Sequence, residues 1–230
     1  MICIGHRGAA GWEPQNTCLA FDKAITLGCD YIETDIHICK SGEMVLCHDA
    51  RIDSTSDGKG FIRDLTLKEL LTFDFGKNQQ IMTLEELLEQ CRGKINLNLE
   101  LKSTGSGAAV AATLTREIQS GNWNPSQLLI TSFNHLELQS FHSLASSIPT
   151  GALIKSVLIG QADYIRSLGC DTLVGSLEFA SKELVRSMHT AGIQILVYTV
   201  NDPRDIDHMI EIGVDGIISN YPDRVLNKII

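Results

Sequence analysis

Short apolar runs alternate along this chain with longer stretches in which apolar residues recur every three or four positions. Runs of the first kind predict strands, and they start at Met1, Tyr31, Ile95, Leu128, Gly151, Asp171, Ile193 and Val214. Stretches of the second kind predict helices. In the first of these, Thr17 supplies an N-cap, Leu19, Ala20, Ala24, Ile25 and Leu27 share one side, and Gly28 ends the helix. Others fall at 136–144, 160–168, 181–190, 202–212 and after Pro222. Thr66 and Thr83, each followed within three residues by Glu, open two more that run to Leu71 and Cys91. Eight strands, each followed by a helix, in 230 residues predict an α/β fold, the (β/α)₈ TIM barrel. A doubly wound open sheet is the alternative, but no Gly-rich nucleotide loop supports it. Residues 1–230 are expected to form a single catalytic domain.

One stretch departs from the strand–helix rhythm. From Tyr31 the chain runs as a strand, turns at Lys40-Ser41-Gly42, returns through Met44 to Leu46, and reaches the pair His48-Asp49. Residues 51–60 are too rich in Ser, Asp and Gly for a core element, and 49–80 is too long for an ordinary connection. A small insertion after the second strand, at one end of the barrel, is the expectation.

Strand parity then groups the charged residues. Glu33 and Asp35 face the same way, roughly 7 Å apart along the strand. Residues 95–101, INLNLEL, alternate strictly and send Asn96, Asn98, Glu100 and the following Lys102 to one face. In a barrel the strand C-terminal ends form the site, and here they bring His6, Arg7, Glu33, Asp35, Glu100 and Lys102. Taken singly these residues have structural explanations: an ion-pair network for the two acids, a Glu100–Lys102 pair across the pleat, a hydrogen-bonded histidine after a strand. Together, three carboxylates suit an oxygen-ligated Ca²⁺ or Mg²⁺, whereas zinc usually recruits histidine. Arg7 and Lys102 suit an anionic, phosphate-bearing substrate, and His6 with His48 provides a proton acceptor and a proton donor near neutral pH. His37, His135, His142, His189 and His208 are assigned to loops or helices away from strand termini, with no catalytic part.

The composition narrows the partners. Twenty-eight acidic against 19 basic residues leave a formal charge of −9, so neither nucleic acid nor an anionic membrane surface is an expected partner. No apolar stretch approaches the length of a membrane span, so no stable membrane association is expected. Seven scattered cysteines without CxxC spacing suggest small buried hydrophobes in a reducing compartment, and with no secretory pattern at the start the expected location is the cytoplasm.

An ordered series of short motifs also resembles the glycerophosphodiester phosphodiesterase family: His6-Arg7-Gly8, Pro14-Gln15-Asn16-Thr17, Glu33-Thr34-Asp35, His48-Asp49, Thr83-Leu84-Glu85-Glu86, Glu100-Leu101-Lys102, Ser132-Phe133, Thr199-Val200-Asn201 and Gly213-Val214-Asp215-Gly216. The resemblance runs nearly end to end. It implies a (β/α)₈ barrel with an insertion after the second strand, and a hydrolase that splits a small-molecule glycerophosphodiester into glycerol 3-phosphate and an alcohol. It further implies Glu33, Asp35 and Glu100 as ligands of a divalent cation, His6 and His48 as the acid/base pair, Arg7 and Lys102 as a phosphate clamp, and Phe133 and Tyr198 at the substrate. Three positions depart from the family pattern: Gln15 stands where Glu is usual, Tyr198 where Trp is usual, and Ser219-Asn220 where Thr-Asp is usual. None is expected to touch the metal or histidine set; they bear on substrate preference and rate. Two other functions remain as alternatives: a phospholipase D-like barrel for intact lysolipids, which would show an exposed apolar surface at its mouth, and a non-catalytic phosphodiester sensor, which would lack an acid or a histidine.

Overall fold

In the computed structural model, which describes residues 1–229, eight parallel strands close into a barrel. They are β1 (Ile2–His6), β2 (Tyr31–Ile38), β4 (Asn96–Leu101), β5 (Leu128–Ser132), β6 (Thr150–Ile154), β7 (Thr172–Ser176), β8 (Gln194–Tyr198) and β9 (Gly216–Ser219). β1 closes the ring by pairing with both β2 and β9. The remaining strand, β3 (Met44–Leu46), is antiparallel to the far end of β2 and belongs to the insertion. The (β/α)₈ expectation holds, and the open-sheet alternative does not.

Alternation decides what fills the barrel. Ile4, Leu129, Leu153, Val174, Leu196 and Ile218 form the inner cluster. The opposite faces of the strands pack on the helices in a larger outer core that includes Phe21, Ile32, Leu97, Leu99, Ile130 and Ile195. Each such residue, fully buried, contributes roughly 1.5–3 kcal/mol over exposure. A third cluster, among them Val45, Ile52, Ile62, Leu70 and Ile81, supports the insertion. Its chain passes through the short helix α2 (Leu67–Leu70) to α3 (Leu84–Cys91). Both expected capping boxes form, Thr66 with Glu69 and Thr83 with Glu86.

The helix α1 (Cys18–Leu27) starts at Thr17 and ends at Gly28, which adopts φ 86° and donates to the carbonyls of Ala24 and Ile25. After β4 comes α4 (Ser106–Gln119), whose N-cap residue Gly105 carries no side chain to cap it. The cap comes from across the fold: Glu137, on α5 (His135–Leu144), accepts from the amides of Gly105 and Gly107, both at 2.8 Å. The ring is completed by α6 (Gln161–Ser167), α7 (Lys182–Thr190), α8 (Pro203–Ile212) and α9 (Pro222–Ile229). Cys18 corrects one expectation, since it is exposed at the start of α1 while the other six cysteines are buried. No described helix is long and apolar enough to cross a membrane.

Candidate active site

Register brings the charged residues of three strands together at the C-terminal mouth. His6 pairs with Glu33 across β1 and β2, and Asp35 pairs with Glu100 across β2 and β4. All four share inward parity with Ile4, so the polar face rests on the apolar inner cluster. Ligand atoms of Glu33, Asp35 and Glu100 lie within 4.8 Å of one another, and all three residues are buried.

Three buried acids at that spacing repel, and two cations partly offset them. Lys102 Nζ lies 2.8 Å from Glu100 Oε1 and 3.5 Å from Asp35 Oδ1, while Arg7 Nε is 3.4 Å from Asp35 Oδ2. Arg7 also donates its backbone amide to Glu33 Oε2 at 3.0 Å. Burial opposes the charge on Asp35, but Lys102 and Arg7 outweigh it and hold the group below the ordinary carboxylate range. Glu33 is shifted well upward by burial and then by its neighbours Asp35 and Glu100. Glu100 is pushed up to about 7 by burial and by Asp35. Asp35 Oδ1 is buried with no hydrogen-bond partner. A converging acid set with one orphaned oxygen fits a hard divalent cation, whose charge would let all three ionise.

The two histidines differ in their partners. His6 is largely buried; its Nδ1 lies 2.5 Å from Asn220 Oδ1 and its Nε2 is 3.8 Å from Glu33 Oε2. Burial, then the neighbouring Arg7, lower its pKa to about 4. His48 sits in the loop after β3 with more exposure, and its Nδ1 lies 2.7 Å from Asp49 Oδ1. Asp49 is fixed in turn by Ser54, which donates to Oδ2 at 2.8 Å.

A cavity of about 160 Å³ opens among these groups. Its polar side is formed by His6, Arg7, Glu33, His48 and Glu100, and its apolar side by Phe133, Leu153, Val174, Tyr198 and Ile218. Phe133 and Tyr198 meet edge to face, with ring centroids 5.9 Å apart. The Tyr198 hydroxyl is buried without a partner. Lys102 does not line this cavity; its ammonium lies against the acids, and the residue borders an adjacent groove instead.

The structure corrects two sequence readings. His37 lies within β2, not in a loop or helix, and bridges Ser103 Oγ at 3.0 Å and the His48 carbonyl at 3.3 Å. Its inward parity with Asp35 was the available signal. The departures at Asn220 and Gln15 do touch the proposed machinery, because Asn220 bonds His6 and Gln15 accepts a hydrogen bond from Arg7. Sequence reasoning also gave no role to Asn16, which donates to Asp35 Oδ2 at 3.1 Å and accepts from Thr34 at 2.8 Å.

A parallel barrel that gathers acids, cations and two histidines around a cavity at its C-terminal mouth is, as a class, a barrel phosphodiesterase. Residues 6–224 match the Glycerophosphoryl diester phosphodiesterase family, and the chain belongs to that family. It is 31% identical to a glycerophosphodiester phosphodiesterase of Caldanaerobacter subterraneus, across 99% of this chain and 97% of that protein. A glycerophosphodiester phosphodiesterase of Bacillus altitudinis is 30% identical, with 97% and 96% covered. Among solved structures, an Oleispira antarctica phosphodiesterase in complex with the product sn-glycerol-3-phosphate superposes with a TM-score of 0.91 at 28% identity, covering 99% of this chain and 96% of that one.

Proposed function

We propose that the protein hydrolyses glycerophosphodiesters to glycerol 3-phosphate and an alcohol, using a divalent cation, Ca²⁺ or Mg²⁺, held by Glu33, Asp35 and Glu100. The observation that carries this is the convergence of those three acids, two of which, Glu33 and Glu100, line one cavity with His6, His48 and Arg7. The family membership and the product bound by the Oleispira relative support the substrate class. When bound, the cation would neutralise the acids and polarise a phosphoryl oxygen.

The chain's own groups supply the rest. Arg7 offers its guanidinium to the anionic phosphate. Lys102 acts through Glu100 and Asp35, keeping the acid set from repelling an anion. The apolar wall receives the carbon skeleton of glycerol, and the orphaned Tyr198 hydroxyl meets one of its hydroxyl groups. His6, whose Nδ1 is turned to Asn220, presents Nε2 to the cavity as the base that takes a proton from the nucleophile. His48, hydrogen-bonded to Asp49, protonates the departing alcohol on the other side of phosphorus.

A panel of glycerophosphodiesters assayed with added Ca²⁺ or Mg²⁺, and again with EDTA, tests the reading. Release of glycerol 3-phosphate that disappears with chelator is expected. Full activity in EDTA would remove the cation, and no release from any member would remove the substrate class. The sensor alternative is disfavoured by the intact set of three acids and two histidines.

A further inference from the structure

One buried histidine is left without a part in the chemistry. His37 shares its inward parity on β2 with Asp35, yet it does not line the catalytic cavity; it borders the adjacent groove with Ala50, Lys102 and Ser103. Both of its ring nitrogens are engaged, Nδ1 with Ser103 Oγ at 3.0 Å and Nε2 with the His48 carbonyl at 3.3 Å. The second of these partners belongs to the main chain of a residue at the candidate active site.

The protons along these contacts have one consistent arrangement. A carbonyl can only accept, so Nε2 carries the ring proton and donates it to His48. In the neutral ring Nδ1 is then an acceptor, and it takes the proton of the Ser103 hydroxyl. The same Ser103 oxygen accepts from the Ile38 amide at 3.1 Å, a group that can only donate, so the hydroxyl proton is free for Nδ1. Ser103 is itself held in place, because its carbonyl accepts from the Ser106 amide at 3.2 Å and the Ser106 hydroxyl at 2.6 Å. The frame of β2 and the start of α4 thus aims one N–H at the His48 peptide.

His48 needs such a hold. Its side chain is 37% exposed, and its loop follows a strand of only three residues. Asp49, fixed by Ser54, turns the ring about its own bonds. The main chain is tied on either side, where the Cys47 amide donates to the Asp35 carbonyl at 3.0 Å and the Ile62 amide to the Ala50 carbonyl at 2.9 Å. Between those ties, among the described residues, His37 alone donates to the His48 carbonyl. A turn of that peptide would swing the imidazole tip, and reacting groups must be held within roughly 0.5 Å and 10–20° of their productive geometry.

Resting on the function proposed above, we propose that His37 is a positioning residue for the reaction: aimed by Ser103, its Nε2–H fixes the His48 peptide so that the imidazole of His48 meets the departing oxygen. His37 touches neither the substrate nor the cation. Its effect is therefore confined to substrates whose leaving alcohol needs a proton.

The test uses the full chain with divalent cation and two substrates, glycerophosphocholine and the nitrophenyl diester of glycerol phosphate, whose phenolate leaves without a proton. His37→Leu keeps much of the side-chain volume and removes the donor. Its kcat on glycerophosphocholine should fall by about 10²-fold, the cost of about 1 Å of misplacement, with KM little changed. On the nitrophenyl diester it should stay within about threefold of the intact protein. His37→Gln, whose amide nitrogen reaches the same place, should recover the glycerophosphocholine rate to within about threefold. In a His48→Ala background, His37→Leu should cost no more than about twofold further, because the group it aims is gone.

An equal loss on both substrates, no loss on either, no recovery with Gln, or a loss that adds in full to that of His48→Ala would overturn the role and leave the proposed function standing. Cleavage of neither substrate by the intact protein would defeat both readings. If His37→Leu does not fold, Ser103→Ala decides, since it keeps the ring and removes only what aims it. A loss of about tenfold on glycerophosphocholine alone is then expected, and an equal loss on both substrates, or none, would overturn the role.

Discussion

His6 and Asn220, 214 residues apart in sequence, meet at 2.5 Å because β1 and β9 are paired and Asn220 follows the last residue of β9. Asn220 is itself oriented by Asn201, whose side-chain oxygen accepts from its amide at 2.9 Å. An amide oxygen accepts from Nδ1 and leaves the Nε2 lone pair free, whereas a carboxylate there would favour the charged imidazolium. Asn220→Asp should therefore raise the His6 pKa from its depressed position near 4 and move the acid limb of the kcat/KM profile to higher pH. The stability consequence has a definite sign. A histidine depressed in the fold contributes stability that is complete above its ordinary value of 6.5 and is lost as pH falls towards about 4. The Asp variant should lose less over that window in urea denaturation. An acid limb that does not move would show that His6 is not the base.

Cation binding should release protons. Glu100, pushed up to about 7, and Glu33, shifted upward by burial, must both ionise to act as ligands. Affinity for Ca²⁺ or Mg²⁺ should accordingly tighten from about pH 5 to about pH 8, with proton uptake by the buffer seen in calorimetry. Without the ion the sign runs the other way: carboxyls raised in the fold stabilise it at low pH and lose that contribution as pH climbs through about 7. Added cation should thus raise Tm more at high pH than at low. A pH-independent affinity with no proton release would remove these acids from the ligand set.

Lys102→Ala strips the ammonium from two buried acids at once. Both KM and kcat should worsen, with kcat/KM falling by about 10²-fold, because the remaining negative field opposes the anion and the charge that builds on its oxygens. An unchanged kcat/KM would refute the assignment.

Glu137 offers a test of the fold apart from the chemistry. Its carboxylate caps α4 with two backbone hydrogen bonds from 30 residues or more away, and Glu137→Ala orphans both amides. A loss of about 1–2 kcal/mol in denaturant unfolding is expected, with kcat unchanged. A stability loss within error would show that water replaces the cap.

That long-range cap marks where sequence reasoning stops. Strand parity alone aligned Glu33 with Asp35 and gave Glu100 its face, because side chains in a strand have period two wherever the strand lies. Cap chemistry placed α1 and α3 for the same local reason. The start of α4 carries no local cap, and nothing near residue 105 points to Glu137. Asn220 was visible as a departure from the family pattern, but its contact with His6 exists only once β9 closes against β1. His37 was misplaced because β2 continues beyond the barrel to pair with β3.

The partners of the two histidines support the proposed roles, which spacing alone left open. In-line displacement needs one group to take a proton from the nucleophile and another to give one to the leaving alcohol. His6 is buried, with Nδ1 on a neutral amide, and suits the base; His48 is half-exposed, with Nδ1 on a carboxylate that Ser54 holds in place, and suits the acid. Either histidine changed to Ala should lose about 10²–10⁴ in kcat on a choline or ethanolamine diester, with KM changing far less. A nitrophenyl diester of glycerol needs no proton on its departing oxygen, since the phenolate leaves unaided. His48→Ala should therefore recover most of its rate on that substrate, and His6→Ala should not, because the nucleophile still has to lose its proton. Rescue of His6→Ala in place of His48→Ala would exchange the roles. Equal rescue of both, or of neither, would sink the paired mechanism and favour a nucleophile activated by the bound cation.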